Sequence, residues 1–136
     1  MKLTNTRNMN RKAGMTLLEL TVVILVLLSL ISILFIGARA WKAGSDRAGC
    51  IIQIRNVQQG VRSYANMNGL NPGGAGAWQA KVVGAGMFVE KTPVCPAAGT
   101  YTMAADTAIP AVGTLAMTCS LAASPTLHVP GAYTDW

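Results

Sequence analysis

Residues 20–38 run for nineteen positions without a charged side chain and are dominated by Leu, Ile and Val. An apolar helix of eighteen or more residues is long enough to cross about 30 Å of hydrocarbon. A signal-peptide core is shorter, about 7–15 residues, and closes on a small-x-small cleavage site. Here Arg39, Trp41 and Lys42 follow the run, as at a membrane interface. The pattern predicts a retained membrane helix, the other reading of the same run being a buried core helix. Past it, Cys50, Ile54, Val57, Val61 and Tyr64 recur every three or four residues, one stripe of a continuing helix, with Gln53, Arg55, Gln58, Gln59 and Arg62 off the stripe. Gly69 suits a C-cap and Pro72 blocks continuation, so one helix is expected from about Met15 to Asn68. Gly37, Gly44, Gly49 and Gly60 interrupt it, either as tolerated glycines or as points of flexibility and close packing.

The pattern then shortens. A Gly/Pro/Asn/Ala loop occupies 69–77, and 78–89 is ambiguous between a short helix and a strand. Alternation predicts strands at 99–103 and 113–120, joined by a turn-rich 104–112, and a third short strand at 126–129. The expected fold class is α+β: a long N-terminal helix with a small antiparallel sheet folded on its outer half. The implied organisation is a leader (1–14), an apolar helix (15–38), its continuation (39–68) and a small β-rich head (69–136).

Composition excludes some functions. The 136-residue chain is 51% hydrophobic and only 12% charged, so it is neither a disordered tail nor a highly charged nucleic-acid-binding domain, despite a net charge of +6. Lys2, Arg7, Arg11 and Lys12 place most of that charge in a leader without acids, leaving about +2 elsewhere. Basic leaders set topology and targeting. The orientation implied is leader inside, although Arg39, Lys42 and Arg47 on the far side reduce the asymmetry.

Glu19 is the one carboxylate at the start of the apolar span. An acid inside a membrane is costly, whereas at a helix N-terminus it is stabilised by the dipole. The string Arg11-Lys12-Ala13-Gly14-Met15-Thr16-Leu17-Leu18-Glu19-Leu20 resembles the prepilin cleavage and methylation motif of type IV pilins and type II secretion pseudopilins. The resemblance implies cleavage between Gly14 and Met15 by a prepilin peptidase and N-methylation of Met15. It also implies assembly through pairing of Glu19 with the Met15 amine of a neighbouring subunit. Met15 departs from the commoner Phe, and the chain lacks the helix-bending Pro of many relatives, having none before Pro72. A heterologous contact of this kind that does not close on itself generates a helical filament.

Cys50, Cys95 and Cys119 fall in the half expected to be exported. Cys95 and Cys119 flank the two clearer strands, so antiparallel pairing would bring them together, and a disulfide between them is expected; Cys50 reads as a core residue whose own pairing stays open. The segment Pro93-Val-Cys-Pro-Ala-Ala-Gly-Thr-Tyr-Thr, with Thr118-Cys-Ser and His128 after it, resembles a secretion-type pseudopilin subgroup to which no catalytic role is attached. Glu90, Asp106 and Asp135 are too scattered for the acidic calcium loop of the major secretion pseudopilin. His128 with a cysteine raises a nucleophile–base pair or, with Cys50, a zinc site. With no Cys-x-x-Cys, no Gly-x-Ser-x-Gly, no phosphate loop and no second histidine, the expectation is no catalytic residue, no metal and no cofactor.

The function expected from the resemblance is a pseudopilus subunit of type II secretion, held in the bacterial inner membrane with its head in the periplasm. Its partners would be copies of itself, other pseudopilins, prepilin peptidase, the inner-membrane assembly platform and lipid, but not nucleic acid. Two alternatives stay open: a type IV pilus subunit for adhesion, motility or DNA uptake, and a signal-anchored periplasmic binding module that never polymerises.

Overall fold

In a computed structural model, Gly14, 16–125 and 127–136 are described. Residues 1–13 of the leader assigned to 1–14, and the proposed new N-terminus, Met15, lie outside these residues. The architecture is α+β, one long helix and a two-stranded antiparallel sheet. The chain divides into two compact units, the first ending at Ala38 and the second covering Arg39–Trp136.

Helix α1 spans Leu17–Met67, 51 residues. Its first turn is capped by Thr16, whose Oγ1 accepts the Glu19 backbone N–H at 3.3 Å while its carbonyl accepts that of Leu20 at 3.2 Å. Thr16-x-x-Glu19 is thus a capping-box sequence, a signal available in the sequence beside the prepilin-like motif. At the other end Gly69 adopts φ +65°, Leu70 N–H bonds to Ala65 O at 2.8 Å and Gly69 N–H to Asn66 O at 3.4 Å, the double closure of a Schellman motif.

In the second unit, α1 buries Cys50, Ile54, Val57, Gln58, Gly60, Val61 and Ala65. Tyr64 is only half-buried, and Gln58 is inside, contrary to its place off the apolar stripe. Gln58 is buried because it closes the backbone leading into the second strand: Nε2 donates to Thr114 O at 3.1 Å and Oε1 accepts from Ala116 N at 2.8 Å. At Gly60 a Cβ would stand 2.9 Å from Val82 Cγ1 and 3.2 Å from Phe88 Cβ, so this glycine permits close packing. Gly37 and Gly44 have nothing within 4 Å of an added Cβ.

The ambiguous 78–89 resolves into a one-turn helix α2, Gln79–Val82, and a bridge between Val83 and Val89. Asp106 caps α2 from across the head, its carboxylate accepting both Trp78 N–H and Gln79 N–H at 2.7 Å. Trp78 is fully buried beneath it. Strands β1 (Tyr101–Met103) and β2 (Met117–Cys119) pair antiparallel with Tyr101 opposite Cys119 and Met103 opposite Met117. Both are shorter than the alternation suggested. Of the third strand expected at 126–129, Thr126 lies outside the described residues and no strand forms at 127–129: Leu127 takes φ +44°, and His128 N–H bonds to Leu121 O at 3.2 Å, turning the imidazole into the core. The last residue is fastened to α1, Arg62 donating to Trp136 O at 2.6 Å and to Pro110 O at 2.7 Å.

Candidate functional site: an apolar helix and a buried thiol–imidazole cluster

Two places hold the residues singled out above. In the first unit every described residue from Thr16 to Ala38 is exposed, although the segment is almost wholly apolar. It is long and apolar enough to cross a membrane. Gly14 and Glu19 are both exposed, and Glu19 is the acid in the first turn of α1. The hydroxyls of Thr21, Ser29 and Ser32 are turned back onto helix carbonyls at 2.8 Å, so the polar side chains of the span consume their own hydrogen bonds.

The second place unites residues that the sequence reading weighs only in pairs and sets aside as a metal site. Cys50 from α1, Cys95 from the loop before β1, Cys119 from the end of β2 and His128 from the C-terminal segment converge, and their donor atoms all lie within 4.8 Å of one another. All four are buried, Cys119 the most exposed at 5%. The Cys119 and Cys95 sulfurs are 3.8 Å apart, Cys95 Sγ is 3.8 Å from His128 Nδ1, and the Cys50 thiol faces the His128 carbonyl at 3.9 Å. The structure thus brings Cys95 and Cys119 together, but no disulfide is formed and all three thiols are free. A bond would require the sulfurs at about 2.05 Å. Cys50 and His128, expected as ordinary core residues, belong to the same cluster.

The chain folds around two of these sulfurs in the same way. A turn starts at each cysteine: Ala98 N–H bonds to Cys95 O at 3.2 Å, and Ala122 N–H to Cys119 O at 3.0 Å. Ala98 accordingly takes φ +59°. In the second turn Leu121 N–H approaches Cys119 Sγ at 3.5 Å. In the first, burial raises the Cys95 thiol, but the backbone N–H groups of Ala97 and Gly99, with the two other thiols, more than offset this and hold it below its ordinary value. Burial, opposed by the Tyr101 hydroxyl and reinforced by Cys119, pushes Cys50 up to about 12. The Tyr101 hydroxyl is itself buried and faces the Cys50 thiol. Burial and its neighbour Cys50 push it up as well. Gly99 is sterically required: a Cβ there would lie 2.9 Å from Cys119 Sγ and 3.1 Å from Leu121 Cδ1.

Three sulfurs and an imidazole nitrogen at this spacing form a donor set able to hold one metal ion. A groove of about 720 Å³ on the head, lined by Gln53, Asn56, Gln59, Ser63, Phe88 and Glu90 among others, contains none of the four. Sequence spacing hid the cluster, because its members are separated by up to 78 residues. The available signal was the donor count, three cysteines and one histidine, with the Cys-Pro-x-x-Gly turn. Comparison with protein-family models, curated proteins and solved structures gives no match.

Proposed function

We propose that this chain is a structural filament subunit that assembles through its N-terminal helix, in the manner of the type IV pilin and secretion-pseudopilin superfamily. The observation that carries the reading is the contrast within α1: residues 17–38 are predominantly apolar and all exposed, with one acid, Glu19, at their start, whereas residues 50–65 bury a stripe. Such a surface is stable in lipid or against copies of itself, and an acid in that setting requires a cation. Cleavage after Gly14 would supply one as the Met15 amine, which is then N-methylated. The secretion-type pseudopilus is the preferred member, from the resemblance of the segments around Cys95, Cys119 and His128. Before assembly the subunit sits in the bacterial inner membrane with its head outside the cytoplasm, and its function is mechanical rather than enzymatic.

One observation favours a second reading. The Thr16–Glu19 cap gives the carboxylate's residue a local task at the helix start, which a signal-anchored module that never polymerises would also need. Glu19→Ala separates the two. The filament reading expects normal membrane insertion and head stability with filaments lost; normal filaments from this variant would contradict it.

A further inference from the structure

We infer that Cys50, Cys95, Cys119 and His128 form a structural Zn²⁺ site that ties α1, the strand pair and the C-terminal segment together. The geometry fits tetrahedral zinc. With Zn–S near 2.3 Å, two thiolates on one ion stand about 3.8 Å apart. Cys95 and Cys119 are at that separation, the Cys95 sulfur lies as far from His128 Nδ1, and no donor pair exceeds 4.8 Å. Four protein donors, all buried, make a closed site with no position left for substrate, which is the structural rather than the catalytic form.

A disulfide explains the same residues less completely. Any one bond among three cysteines leaves the third thiol and a buried imidazole without a strong partner, whereas one metal ion uses all four. The surroundings are also arranged for thiolates. Zinc with three thiolates and a neutral imidazole carries a net negative charge, the thiol protons passing to solvent on binding. The N–H groups of Ala97, Gly99 and Leu121 act on two of the sulfurs, and the buried Tyr101 hydroxyl acts on the third. Donors of this kind orient metal ligands and tune the ion.

The test uses the full-length chain in detergent, purified under reducing conditions without chelator. Metal analysis should find one zinc per chain, and replacement by Co²⁺ should give the intense ligand-field and thiolate charge-transfer bands of a tetrahedral sulfur-rich site. His128→Ala should lose the metal, while His128→Cys, which restores a fourth donor, should retain Co²⁺ with a shifted spectrum. Gly99→Ala, which crowds the Cys119 sulfur, should weaken zinc binding by about 10–100-fold. Wild-type protein that carries no zinc and takes up neither added Zn²⁺ nor Co²⁺ would overturn the assignment. So would a native mass two hydrogens light, with one free thiol, in zinc-replete medium. Neither result bears on filament assembly, which Glu19→Ala tests separately.

Discussion

The two parts of α1 are one continuous helix held in place by opposite means. Residues 17–38 bury nothing within the chain, and their Leu, Ile, Val and Phe side chains are mostly about half or more exposed. Residues 50–65 bury a stripe beneath Trp78, Val82, Ile109, Ala116 and Met117, with Gln58 and Arg62 fastening loop backbone to the helix. Helical periodicity alone does not distinguish these cases. What distinguishes them is the partner: the first segment is apolar on all sides and demands an apolar environment, whereas the second is amphipathic and is satisfied by its own chain.

That difference sets the expected effects of substitution. Trp78→Ala removes the largest fully buried side chain and should cost the head about 3–5 kcal/mol, enough to abolish its cooperative unfolding transition, while Val26→Ala should leave that transition unmoved. Denaturant titration in detergent measures both, and an equal loss from Val26→Ala would break the comparison. Gln58→Leu should destabilise by about 1–3 kcal/mol, because the Ala116 N–H is left buried without an acceptor. The glycines sharpen the same contrast. Gly60→Ala should cost about 1–3 kcal/mol by overpacking against Val82 and Phe88, whereas Gly44→Ala, with open space around it, should stabilise α1 by up to about 1 kcal/mol. The smallest effect belongs to Thr16→Ala: loss of about 1 kcal/mol of cap, seen as faster amide exchange at Glu19 and Leu20 with no change in the head.

Much of this architecture was legible in the residues. The charge-free run and the Gly69–Pro72 stop mark the helix because both act locally, through uninterrupted side-chain apolarity and through φ at one residue. The strands were overextended since alternation persists into turns: at Cys119 the chain bends around a sulfur, and at Leu127 it takes a left-handed conformation that places His128 inside. Gln58 was misplaced because its burial follows from two backbone groups more than 50 residues away. The thiol–imidazole cluster was legible only in pieces, as a Cys95–Cys119 pair and a His128–Cys50 alternative, for the same reason. Its four donors come from four segments with no short-range spacing, and only the fold makes them neighbours.

The proposed filament role requires the N-terminal segment to be processed and used for assembly. Intact mass of the chain from membranes, and from sheared extracellular material, of a strain with active prepilin peptidase tests this most directly. The expected result is a chain lacking residues 1–14 and carrying one added methyl, in the membrane fraction for a pseudopilus subunit and in the sheared material for a surface pilus. A full-length, unmethylated chain would contradict the account and leave the signal-anchored module as the reading of this molecule.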